Sequence, residues 1–150
     1  MSDVNEKNKH QELISFLTPF SINEKDIIQP VTRYKVKHFP ESIKLKLQIG
    51  LINLKKNAKY SIKIFITPYS LYTTVGESFE LGDPFQEVIA GALITKDSDS
   101  RIIDGQLNVD IDDVTFPTEG IYSIECALLD SENENIKLHS LKSYIVAAKG

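Results

Sequence analysis

Ile43-Lys44-Leu45-Lys46-Leu47-Gln48-Ile49-Gly50-Leu51 alternates apolar with polar or small residues without a break. A β-strand sends successive side chains to opposite faces, so a period of two buries Ile43, Leu45, Leu47, Ile49 and Leu51 and leaves the lysines in water. Beyond Gly50 the apolar set moves to Ile52 and Leu54. A slip of one position exchanges the faces, and a glycine at the slip suggests a β-bulge there. After a polar turn over residues 55–59, Tyr60, Ile62, Ile64 and Ile66 alternate with Ser61, Lys63, Phe65 and Thr67. Pro68 ends or edges that strand, because it cannot donate to a ladder. Upstream, Tyr34 and Val36 share a face opposite Arg33, Lys35 and Lys37.

Further strand signals follow. Residues 88–94 form a nearly continuous apolar run around Gly91; Leu107, Val109 and Ile111 alternate with Asn108, Asp110 and Asp112; Tyr122, Ile124, Cys126 and Leu128 alternate with Ser123, Glu125 and Ala127; a last run covers 136–146. Polar clusters at 96–101 and 130–135 separate these runs and are expected to be hairpin turns, since Asp, Asn and Ser bond back to the backbone. Only the first thirty residues read differently. Residues 2–12 are polar except Val4, and Leu13, Ile14, Phe16 and Leu17 then cluster at the spacing of one helical face, with Pro19 behind them. The expected organisation is an N-terminal arm or short helix over 1–30 and a β domain over 31–150, with a helix near 5–17. Short strands between turn clusters give an all-β, antiparallel sandwich or barrel of about seven to eight strands.

Pro117-Thr118-Glu119-Gly120-Ile121-Tyr122 resembles the start of strand F in immunoglobulin-like sandwiches. In that family a Tyr at the corner bonds through its hydroxyl to the upstream backbone. The resemblance implies an Ig-like β-sandwich with Tyr122 buried and bonded to the turn before Gly120. It departs from the antibody type: Ile124 stands where the second Cys would be, Cys126 has no partner Cys, and there is no Trp.

The chemistry-bearing residues are sparse. The three histidines, His10, His38 and His139, have no metal-ligand spacing, and His139 reads as solvent-facing beside Lys137. No nucleotide-binding glycine loop, nucleophile elbow or zincin motif occurs. Cys126 falls on an inward face, where a free thiol is usually a small buried hydrophobe. Asp97, Asp99 and Asp104, and Asp110, Asp112 and Asp113, invite a calcium reading, but neither group has EF-hand spacing. The sequence therefore predicts no enzyme, no cofactor and no metal site.

What remains is charge and aromatic pattern. Residues 33–63 hold nine Lys or Arg and one acid, and residues 97–134 hold eleven acids and one Arg, inside a chain of net charge −4. Either the basic and acidic strands pair internally, or they form faces that steer a partner. Residues 68–87 combine Tyr69, Tyr72, Phe79 and Phe85 with the breakers Gly76, Gly82 and Pro84. Those rings either plug one end of the sandwich or present a patch to a partner. Tyr69, Tyr72, Phe79, Phe85, Lys44 and Lys46 are the candidate partner-binding residues. The expected function is a non-catalytic protein-interaction module, with a protein partner or a second copy of itself as a homodimer. The alternatives are a small-molecule carrier with a barrel cavity, and a phage structural or defence-related subunit. Neither a membrane nor a nucleic acid is expected as partner: no apolar run reaches about 20 residues, and of the aromatics beside the cations, Tyr34, Tyr60 and Phe65, two are expected to face inward. Nineteen Ile against six Ala, and 15 Lys against two Arg, indicate AT-rich codons and hence a bacterial or phage source. The single Cys and the polar start suggest the cytoplasm.

Overall fold

The structure, a computed structural model, describes residues 11–72, 78–79, 86–97 and 99–150. Among these the chain is all-β. Ten strands run in order: β1 Leu13–Ile22, β2 Ile28–Pro30, β3 Arg33–Val36, β4 Glu41–Leu54, β5 Lys59–Tyr72, β6 Ser78–Phe79, β7 Gln86–Ile94, β8 Ile103–Phe116, β9 Gly120–Asp130 and β10 Ile136–Lys149. The first sheet has the order β2-β1-β4-β8. The second has β3-β10-β9-β5-β6, with β7 also on β5. The two inner faces meet in one core that includes Leu45, Leu47, Ile49, Ile62, Ile64, Phe116, Tyr122, Ile124 and Leu128, all fully buried. This is a β-sandwich of two separate sheets, so the barrel expected of a carrier is not formed.

Several expectations are corrected. The helix expected near 5–17 lies partly outside the described residues, which begin at 11; within them 13–22 is strand β1 and not helix, so strand structure begins well before residue 31. A register shift between Ile14 and Phe16 explains the misleading pattern. A bulge adds one residue to the period, so Ile14 and Leu17, three apart, both reach the core while Phe16 turns outward. Pro19 sits inside β1 opposite Leu47; its carbonyl accepts from Val31, so its missing N–H faces the point where β2 already ends. The bulge in β4 is not at Gly50 but between Leu51 and Leu54, where Asn53 adopts a φ of 61°. Gly50 answers a different need: a Cβ there would stand 2.2 Å from the Phe16 ring, which lies over the strand. Pro68 does not end β5; it lies at a register shift, between the stretch of β5 that pairs β7 and the stretch that pairs β6. The turn at 96–101 is no hairpin, because β7 belongs to the second sheet and β8 to the first. The turn at 130–135 does join a hairpin, β9 to β10. The sandwich is not wholly antiparallel either: β3 lies parallel to β10, with Arg33 opposite Val146.

The tyrosine corner is present. Tyr122 is fully buried, its hydroxyl donates to the Thr118 carbonyl at 2.6 Å, and its ring packs on Phe116 with centroids 4.7 Å apart. Tyr34 is the opposite case: its hydroxyl is buried among the described residues with no partner. Burial pushes both phenols upward in pKa, Tyr34 to about 12. Opposite effects on stability are expected from deleting the two hydroxyls. Tyr122→Phe should lose about 1 kcal/mol, whereas Tyr34→Phe should lose nothing and gain up to about 1 kcal/mol, because only the former breaks a bond. Paired urea melts check this, and a loss at Tyr34 as large as at Tyr122 would contradict it.

Candidate functional site

The second sheet exposes three tyrosines on its outer face. Tyr69 is extruded at the β5 bulge between Pro68 and Ser70. It meets Tyr144 of β10 edge-on, with centroids 5.4 Å apart and rings at 70°. They are 47% and 49% exposed, and Tyr72, three residues further on, is 40% exposed. At these exposures the two β5 tyrosines do not plug the end of the sandwich; both stand on its outside. Ile121 pairs with Val146 on the same face, and Val146 pairs with Arg33. Tyr72, Ile121, Val146, Ala148, Glu119 and Arg33 line a shallow groove of about 340 Å³.

The corner fixes this patch from below. Tyr72 donates its N–H to the Glu119 carbonyl at 2.8 Å and accepts at its own carbonyl from the Thr118 hydroxyl at 3.0 Å. Thr118 thus holds Tyr122 with its carbonyl and Tyr72 with its hydroxyl. Gly120 lets β5 come this close, since a Cβ there would stand 2.4 Å from the Ser70 carbonyl oxygen.

The other candidates lie elsewhere. Lys44 and Lys46 are on the outer face of the first sheet, 3.5 Å from Asp112 and 3.4 Å from Asp110 across the β4–β8 ladder. Their charges are engaged within the chain, as one of the two expected readings has it, and they do not join the tyrosines. Both pairs are solvent-exposed and each contributes at most about 1 kcal/mol. Phe79 pairs through its backbone with Leu71, and Phe85 lies outside the described residues. Tyr144 was not among the sequence candidates. Its signal was the two-residue period of the last run, which places 142, 144 and 146 on one face.

His139 is not the free surface residue expected. A register shift between Lys137 and His139 turns the ring toward β1, and its Nδ1 accepts the Ile14 N–H at 2.9 Å. That bond requires a neutral ring with its proton on Nε2. Among the described residues, no three His, Cys, Asp or Glu side chains gather in a way that could hold a metal ion.

Cys126 is fully buried. Burial, with Glu125 nearby, pushes its thiol up to about 12. A thiol ionises near 8.5 when unfolded, so between about pH 9 and 12 the unfolded chain releases a proton that the native one keeps. Native protons in excess make stability fall as pH rises. Burial likewise pushes the Tyr34 and Tyr60 phenols from about 10 up to about 12, so above about pH 10 they add to the slope. The urea midpoint should therefore drop steadily above pH 9, and Cys126 should resist iodoacetamide at pH 8 until the protein is unfolded. Rapid native labelling would contradict the burial.

No family model and no curated protein matches the chain. Among solved structures it is similar to the sporulation control protein Spo0M of Bacillus subtilis, with a TM-score of 0.54 and 10% identity over 93% of this chain. The chain spans 50% of the length of that protein. It is also similar to the CARDB domain of a Pyrococcus furiosus protein, solved in complex with di-metal ions, at a TM-score of 0.45 and 12% identity, covering 93% of each chain. A PapD-like domain of human CEP192 matches at 0.36 and 11%, over 80% of this chain and 82% of that one. At such identities the likeness concerns the fold alone. The class is an all-β sandwich with an Ig-like tyrosine corner. No helix among the described residues is long and apolar enough to cross a membrane.

Proposed function

We propose that this chain is a non-catalytic protein-interaction module that binds through the outer face of its second sheet. One observation carries the reading: Tyr69, Tyr72 and Tyr144 stand half-exposed on one outer sheet face, Tyr69 against Tyr144 and Tyr72 lining the adjoining groove. Tyrosine offers a large amphipathic contact area at small entropy cost, and tyrosine and arginine are enriched at interface hot spots. The compositional bias and the single buried thiol support a cytoplasmic module of bacterial or phage origin.

The test is a variant with Tyr69, Tyr72 and Tyr144 all changed to Ser. Its unfolding free energy from urea melts should stay within about 1 kcal/mol of the parent, since the rings are half in water already. Affinity capture from the source lysate, with native mass measurement, should show partner or self-association lost in the variant. Capture unchanged, or a collapse of stability, would sink the reading.

A further inference from the structure

We propose that the partner of this face is an acidic, extended polypeptide segment, with carboxylates at either end of an apolar anchor. This rests on the tyrosine patch being an interaction site. On the first sheet the lysines of β4 and the acids of β8 satisfy each other in Lys44–Asp112 and Lys46–Asp110. A third ion pair, Lys63–Glu87, lies further along β5. None of these involves Arg33, Lys35 or Lys142, all of which are exposed. Arg33 forms the rim of the groove. Lys35 follows it on β3, and Lys142 precedes Tyr144 by two residues on β10, hence on the same face. The acids nearby offset this only in part. Glu119 accepts from the Lys149 N–H through Oε1, and Glu125 lies opposite Lys142 in the ladder without closing an ion pair. Arg33 and Lys35 on β3 and Lys142 on β10 thus flank Tyr144 at its two ends along the strand direction, with Glu119 and Glu125 as the acids beside them.

The spacing fixes the form of the ligand. Arg33 is level with Val146, four residues along β10 from Lys142, a separation of roughly 13 Å at the rise of a strand. An extended peptide covers that length in four residues, with positions i, i+2 and i+4 pointing the same way. Acids at i and i+4 would meet Lys142 and Arg33, and an apolar residue at i+2 would enter the space between Tyr144, Ile121 and Val146. Arg33 can hold a carboxylate through two parallel N–H bonds, which a lysine cannot.

Fluorescence anisotropy with the full chain tests this. Three labelled octapeptides share a central Glu-Ala-Phe-Ala-Glu frame, with both Glu kept, changed to Lys or changed to Ala. The acidic peptide should bind, at least tenfold more tightly than the others, and should weaken at least tenfold between 0.05 and 0.5 M salt. Arg33→Glu with Lys142→Glu should remove binding, and Arg33→Gln with Lys142→Gln should weaken it less, with urea midpoints unchanged. Equal binding of all three peptides, no binding of the acidic one, or indifference to the charge reversals would overturn the acidic partner. Tighter binding of oligothymidylate through the same residues would overturn it in favour of nucleic acid. If the Tyr→Ser triple variant abolishes binding of all three peptides equally, the patch stands and only its acidic preference falls.

Discussion

Gly120→Val is expected to leave the protein largely unfolded. The added Cβ would lie 2.4 Å from the Ser70 carbonyl oxygen and 2.9 Å from the Leu71 Cα, both backbone atoms of β5. Backbone held in a ladder cannot step aside as a side-chain tip can. Relief would require parting β5 from β9 where Leu71 pairs with Gly120, next to the Thr118 bonds that hold Tyr122 and Tyr72. The loss should exceed about 4 kcal/mol, among the largest that single substitutions cause. Gly50 provides the control. There the crowding atoms belong to the side chains of Phe16 and Ser15, and Phe16 is already partly exposed. Gly50→Ala should displace the ring and cost far less. Equal urea midpoints for the two variants would show that the corner tolerates movement that its geometry forbids.

Tyr60→Phe should be the next most damaging change. The Tyr60 hydroxyl donates to Glu12 Oε2 at 3.0 Å and accepts the Lys55 N–H at 2.8 Å. Glu12 is only 4% exposed, so the phenol is the donor that makes its burial tolerable. Removing it strands a carboxylate and a backbone N–H together, which costs about 3 kcal/mol. Replacing both partners should cost less than replacing one, so Tyr60→Phe with Glu12→Met should recover part of the loss. A double-mutant cycle with no coupling between the two sites would contradict this account.

The alternation of Ile43 through Leu51 and of Tyr60 through Ile66 was legible because each strand buries one face and wets the other. Tyr122 was legible because a corner needs a short turn, a glycine and a ring in fixed order. Glu12 was not. It sits at the end of a polar run, and nothing local marks an acid whose partner stands 48 residues away. Leu13–Leu17 misled because a bulge and a helix place apolar residues at the same three-residue spacing. The site was half legible. Tyr69 and Tyr72 stood out among breakers, but their union with Tyr144 depends on β10 lying two strands from β5, and strand order leaves no trace in periodicity. Lys44 and Lys46 looked available until register set them against Asp112 and Asp110.

The parallel pairing of β3 with the end of β10 has a consequence for synthesis. Among the described residues β10 is the sole ladder partner of β3, and their register joins residues 33–36 to residues 146–149. At 5–20 residues per second a ribosome needs roughly 6 to 23 s to make the intervening chain. Throughout that interval Arg33-Tyr34-Lys35-Val36 is an unpaired strand on a nascent polypeptide, open to the same segment on a neighbouring ribosome. Arg33, Lys35 and, just beyond, Lys37 make such a match between two identical chains repulsive, because like charges would face one another across the ladder. The cations that line one rim of the finished molecule thus also keep β3 solitary while it waits for β10.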